Sequence, residues 1–250
     1  LDQIPWECLY DPLEGAYLAA SAETPLARYP SGIQHQPDEK LELPLRILFV
    51  TANPSDTESR FHLLPWSSQK VLDMIRASLD SMVERGIVRI QFVKQGTAAE
   101  ICHANADFHP HIIQLWAHGV NRQGVEHLLL ENQRNRGRLY TAQSFQGLFL
   151  EPSTRLLVLH PPATQPPSMP SIGWEMAKKM QRLASCAVIA FRRVLSTEAE
   201  RAFVRRLAQN LAPGNMIDVA LAETRRQLAE HLEDMEWAWP VLFLPWQPGQ

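Results

Sequence analysis

RILFVTAN, Arg46 to Asn53, is an apolar run without polar alternation that closes on small and polar residues. A strand with one wet face alternates apolar and polar side chains. A continuous run therefore predicts a strand covered on both faces, as in the middle of a parallel sheet. Just downstream, SSQKVLDMIRASLDSMVERG spaces Val71, Met74, Ile75, Leu79 and Met82 three and four residues apart, starts at capping serines and stops at Gly86, which predicts an amphipathic helix. The strand pattern returns in IVRIQFV (Ile87–Val93), IIQLWA (Ile112–Ala117), RLLVL (Arg155–Leu159), CAVIAF (Cys186–Phe191) and PVLFL (Pro240–Leu244). Helix-like segments separate them: TAAEICHANA, TAQSFQGLF, SIGWEMAKKMQRLAS, Thr197–Leu211 and Met216–Leu232, with HLLLEN as a small hairpin. Such alternation predicts a three-layer α/β fold, with a mostly parallel central sheet of about six strands, helices on both faces and right-handed crossovers.

Upstream, Ile4 to Arg28 breaks into short apolar groups divided by turn residues, which predicts a hairpin-like entry of two short strands. Tyr29 to Pro44 is polar and holds three prolines, so it reads as a connection. Residues 1–44 are thus expected to be an entry and linker belonging to the same domain as the core at 45–250. A first residue Leu1 in place of methionine is expected of a piece of a longer multidomain protein, whose other domains would be partners of this one.

Of the 250 residues 45% are hydrophobic and 20% charged, with a formal net charge of -3, so no basic field exists to recruit nucleic acid or an anionic membrane. The cysteines, Cys8, Cys102 and Cys186, are odd in number and share no CxxC or Cys/His spacing. Neither a disulfide framework nor a structural zinc is expected, and a reducing cytoplasm fits. No apolar run approaches the roughly 20 residues of a membrane span. His103, His109, His111, His118 and His160 do not add up to a metal site, because His109 and His111, as alternate residues of an extended stretch, point in opposite directions. TANPSD after the first core strand lacks the glycines and lysine of a phosphate loop, so no cofactor is expected. The arginine pairs Arg192-Arg193, Arg205-Arg206 and Arg225-Arg226 read as solvated helix faces balanced by Glu198, Glu200, Glu223 and Glu230.

Reactive groups of open parallel sheets gather beyond the carboxyl ends of the strands. Two ends carry unusual chemistry. WAHG brings His118 and Gly119, and LHPPATQPPSMP follows its strand with five prolines. If the two strands are neighbours, Trp116, His118, His160 and Thr164 border one crevice. On the residues alone, His118 is a polar strand end satisfied by backbone.

The order and spacing of WECLY, RILFVTANPSD, DFHPHIIQLWAHG, RLLVL, CAVIAFRRVLSTEAERAFVRRLAQNL and WAWPVLFL resemble the CHAT domain, a bacterial caspase-like and separase-like fold of cysteine peptidases, from about Ile4 to Leu244. The resemblance implies that His118 stands at the position of the catalytic histidine, a general base, and that the Gly119 backbone N–H stands at the oxyanion position. It also implies a nucleophilic cysteine just after the next core strand. Aligned without a gap, RLLVLHPPATQ has Pro162 there, or Ala163 if shifted by one. Proline offers neither a nucleophile nor an N–H. Three readings stay open. The first is a pseudo-peptidase that works as a protein-interaction or regulatory module in bacterial signalling or defence, with a protein or peptide partner. The second is an active cysteine endopeptidase whose nucleophile has been replaced in this chain. The third is a module binding peptides or small molecules in the vestigial crevice. Thr164 and Ser168 are the hydroxyls near the vacated position.

Overall fold

A computed structural model describes residues 4–28, 41–93, 95–149, 153–164, 173–183, 186–232 and 234–245. Most of the predicted linker and Ser168 lie outside them. The central sheet has six strands: β3 (Leu45–Ala52), β4 (Val88–Val93), β5 (Ile112–Ala117), β9 (Leu156–His160), β10 (Ala187–Phe191) and β11 (Pro240–Phe243). Their order is β11-β10-β9-β5-β3-β4, and only β11 runs antiparallel to its neighbour. The α/β fold with a mostly parallel six-stranded sheet is thus the observed one.

Alternation along each buried strand sends side chains into two separate cores. Ile47 and Phe49 of β3, Ile112 and Trp116 of β5 and Val158 of β9 enter the first, which α2 (Ser68–Glu84), α6 (Thr197–Leu211) and α7 (Ile217–Ala229) cover. Leu48 and Val50, Ile113 and Leu115, and Leu157 and Leu159 enter the second, beneath α3 (Ala98–Phe108), α4 (Ala142–Phe149) and α5 (Trp174–Leu183). Two covered faces are the reason these strands read as unbroken apolar runs. Helix α2 starts as expected, with Ser67 Oγ accepting from Lys70 N, and gives way at Gly86, whose φ of 68° suits a residue without a Cβ. Among the described α-helices, the one the sequence did not lead us to expect is the short α1 (Thr57–Phe61), ended by His62 at φ 56°. Five residues carry too little periodicity to be recognised.

A second, three-stranded antiparallel sheet grows out of the end of β5: β6 (Gly119–Arg122), β7 (Val125–Glu131) and β8 (Gly137–Tyr140), in the order β6-β7-β8. HLLLEN lies in its middle strand. At the N-terminus, β1 (Tyr10–Asp11) pairs with β2 (Ala16–Tyr17) as a small hairpin. Among the described residues no helix is long and apolar enough to cross a membrane.

The N-terminal stretch is fastened to the core by charge as well as by packing. Glu7, buried in a short turn, binds Arg28 at 3.1 Å and Arg192 at 3.2 Å. Arg28 also joins the sheet beside β11, exchanging backbone bonds with Leu242 and Leu244. Arg225, expected on a solvated face, is instead fully buried. Its guanidinium donates to the carbonyls of Ala19, Leu26 and Pro240, so one side chain ties the entry to β11. Arg226 does occupy the solvated face, paired with Glu223 and Glu230. Burial pushes Arg225 down to about 10, which leaves it cationic at neutral pH.

Truncating Arg225 leaves three carbonyls without their donor in a dry site. Arg225→Ala is expected to cost about 3–5 kcal/mol in urea unfolding. Arg225→Lys is expected to recover little, since a single ammonium lacks the fork that spans the three acceptors. An unchanged unfolding midpoint in Arg225→Ala would contradict this role.

Candidate functional site

Strands β5 and β9 are neighbours, with Trp116 opposite His160 in the register, so His118 and Pro161-Pro162 leave the sheet side by side at its carboxyl edge. Strand β9 stops at His160 because neither following proline can donate to the ladder. Both prolines are buried, Ala163 is exposed and Thr164 is half-buried.

His118 and Thr164 converge on one atom. The Leu64 carbonyl oxygen lies 3.1 Å from His118 Nε2 and accepts from Thr164 Oγ1 at 2.9 Å. A carbonyl only accepts, so the proton of the neutral imidazole sits on Nε2 and the bare lone pair on Nδ1. Nδ1 is buried and, among the described residues, has no hydrogen-bond partner. The ring is therefore locked in one orientation and one tautomer, with its basic nitrogen unsatisfied. Burial lowers the His118 pKa to about 4, the Leu64 bond offsetting only part of the loss, so the ring is neutral at pH 7. The Thr164 hydroxyl donates to the same oxygen as Nε2–H, so its proton is turned to Leu64 and not to the basic nitrogen.

The segment carrying Leu64, His62–Trp66, is held from several sides. Asn53, at the end of β3, donates through Nδ2 to Trp66 O at 2.5 Å, and its own N–H donates to Glu131 Oε1 at 2.8 Å. Leu63 N donates to Thr57 O. The small sheet clamps α1 and its approach: Asp56 Oδ1 accepts from Gly137 N at 2.6 Å, Arg60 donates to Gly137 O at 3.0 Å, and Ser55 bonds Asn135 O. A Cβ at Gly137 would lie 2.5 Å from the Phe61 ring, so glycine permits this close approach. The sheet that begins one residue after His118 thus folds back to fix the carbonyl that orients His118.

The far side of the proline-rich connection is fixed from the same sheet. Glu126 of β7 accepts from Gly173 N at 2.6 Å and Met176 N at 2.5 Å, capping α5 with a buried carboxylate. Burial raises its pKa, and the two backbone donors pull it back.

The expected crevice residues do not all meet. His118 and Thr164 come together at Leu64, and Gly119 is buried at the start of β6 opposite Leu128. Trp116 and His160 are 1% and 2% exposed and point into the first core against α6. Their rings stack at 3.8 Å, so neither forms a crevice wall; strand alternation places both beneath its floor. The cysteines lie elsewhere. Cys186 is buried just before β10, at the opposite end of the parallel strands, Cys102 sits on α3 against the second core, and Cys8 belongs to the N-terminal turn. Burial and Glu7 raise the Cys8 pKa, which disfavours a thiolate. Leu64, Asn53, Glu126 and Glu131 went unrecognised as site residues in the sequence. Leu64 acts through a backbone carbonyl, which every residue has, and the others act across long sequence separations.

Two predictions follow from this geometry. An unfolded histidine titrates near 6.5 and His118 near about 4, so protonation favours the unfolded chain. Its contribution is fully present above about pH 6.5 and lost as pH falls through about 4, on the order of 3 kcal/mol in all. Burial lowers His111 and His160 in the same direction and raises Glu126 and Glu131 in the opposite one, so comparison with a variant isolates His118. His118→Gln is expected to flatten the pH dependence of the urea midpoint across that window; an unchanged slope would count against the buried neutral ring. Glu126→Ala is expected to lose about 1–3 kcal/mol and to speed amide exchange at Gly173 and Met176, whereas unaltered exchange would show that the cap does not hold α5.

The CHAT domain family model matches residues 1–243, and no curated protein matches the chain. The match spans the six-stranded sheet, its helices on both faces and the His118 edge together. With nearly its whole length accounted for in this way, the chain belongs to the CHAT domain family and carries that family's caspase-like α/β module.

Proposed function

We propose that this chain is a proteolytically inactive CHAT domain acting as a protein-interaction or regulatory module. The observation that carries this reading is Pro162, buried two residues past the end of β9 on the sheet edge that also carries His118, where the family resemblance implies a thiol. Proline can neither attack a carbonyl nor donate to an oxyanion, and Ala163, one residue on, is equally inert. The state of His118 supports the same reading. Its Nδ1 lone pair is available in principle, but with a pKa of about 4 the ring is a weak base and cannot be held as an imidazolium beside a thiolate at neutral pH. Thr164 does not fill the gap, because its hydroxyl is engaged with Leu64 O. What the family architecture retains is a rigid, internally braced edge at the carboxyl ends of β5 and β9, suited to holding a protein or peptide segment without cleaving it. The wider role follows the family resemblance: a regulatory part of a longer polypeptide in bacterial signalling or defence, in the cytoplasm.

A diverse peptide library incubated with the chain tests both halves of the proposal. The expected result is no cleavage, with a subset of peptides raising the unfolding temperature in proportion to their occupancy. Sequence-specific cleavage that disappears in His118→Ala would overturn it.

A further inference from the structure

The two long edges of the central sheet differ. At β11 the edge is closed, because Arg28 takes the next place, donating to Leu242 O and accepting from Leu244 N. At the other edge stands β4, with β3 on one side and, among the described residues, no strand on the other. The parallel register fixes which backbone groups face outward. Leu45 N donates to Ile87 O, so Arg89 and Gln91 turn their N–H and C=O groups to β3, and Val88, Ile90 and Phe92 turn theirs away from it. Among the described residues nothing bonds to those outward groups. Sheet edges are ordinarily guarded by lysine, proline, a bulge or a covering loop. Strand β4 has no lysine or proline, its register with β3 runs without a bulge, and its one charged residue is Arg89. The edges of the small sheet are shorter, and they carry Asn121 and Arg122 on β6 and Arg138 on β8.

We propose that β4 is a docking edge for a second copy of this chain, paired antiparallel about a two-fold axis through Ile90, so that two central sheets join into one. The outward residues are symmetric about their middle member. With Ile90 opposite Ile90 of the copy and Val88 opposite Phe92, every outward N–H meets an outward C=O. The side chains agree with the backbone. Val88, Ile90 and Phe92 lie on the first-core face, where Ile90 and Phe92 are only half-buried, and the pairing sets apolar against apolar. On the other face the exposed Arg89 lies opposite Gln91, so no like charges are opposed. Phe92 is already stacked on Phe49 at 5.5 Å and lies under the Arg76 guanidinium at 4.9 Å, which prearranges the strand for docking. A net charge of -3 leaves little repulsion between copies. A generic extended peptide would supply the backbone groups without this match of residue to residue. One short strand buries less surface than a permanent dimer needs, so the association is reversible and depends on concentration.

Sedimentation of the full chain between about 1 and about 500 μM tests this, with amide exchange followed over the same range. The average mass is expected to rise from that of one chain toward that of two. Exchange is expected to slow several-fold at Val88, Ile90 and Phe92 and to stay constant at Arg89 and Gln91, which β3 already holds. Because position 90 meets only itself, Ile90→Lys alone and Ile90→Glu alone are each expected to stay monomeric, and their equimolar mixture to associate again. A chain that is monomeric throughout, or that associates without slower exchange at those three amides, overturns the proposal whether or not the variants fold. So does a single folded variant that associates as the unsubstituted chain does, or a mixture of folded variants that stays monomeric. Slower exchange at the same amides on adding an extended peptide to a chain that never self-associates would assign the edge to another partner, and overturns it as well.

Discussion

The Leu64 carbonyl oxygen is the point on which the candidate site depends. It accepts from His118 at the end of β5 and from Thr164 beyond the end of β9, and so joins two neighbouring strand ends through a third segment. Because a carbonyl only accepts, it also determines the His118 tautomer and leaves Nδ1 as the bare nitrogen. A single backbone atom thereby sets the orientation and tautomer of the one side chain whose chemistry the family likeness singles out. The supporting bonds form a closed circuit. The strand leaving His118 opens the small sheet, that sheet holds Asn53 and α1, and these hold the segment carrying Leu64.

Such bracing is costly to assemble around a group with no task. The buried Arg225 and the buried Glu7, Glu126 and Glu131 each oppose burial with charge, and each is matched by specific partners. In the proposed function the retained rigidity serves recognition in place of catalysis. A prearranged surface loses less entropy when a peptide docks, and a neutral His118 adds no charge to desolvate.

The fold was largely legible because burial on both faces leaves its mark residue by residue. RILFVTAN, IIQLWA and RLLVL are apolar throughout since each alternate side chain enters a different core. The WAHG motif and the prolines after RLLVL were legible as the ends of two strands that share one edge, being unusual residues there. What stayed hidden was set by tertiary neighbours. Trp116 and His160 look like crevice residues by sequence position, yet the pleat turns both inward onto α6. Arg225 looks like half of a surface pair, yet three carbonyls distant in sequence draw it inside while Arg226 stays out. The carbonyl of Leu64 leaves no trace in residue identity at all.

In the proposed function His118 is oriented but has no nucleophile to serve. Exposing the full chain to peptidyl electrophiles that capture thiols and hydroxyls, followed by site-resolved mass spectrometry, tests it most directly. No adduct that depends on His118 is expected. An adduct on Thr164 or on any of Cys8, Cys102 and Cys186 that vanishes in His118→Ala would contradict it.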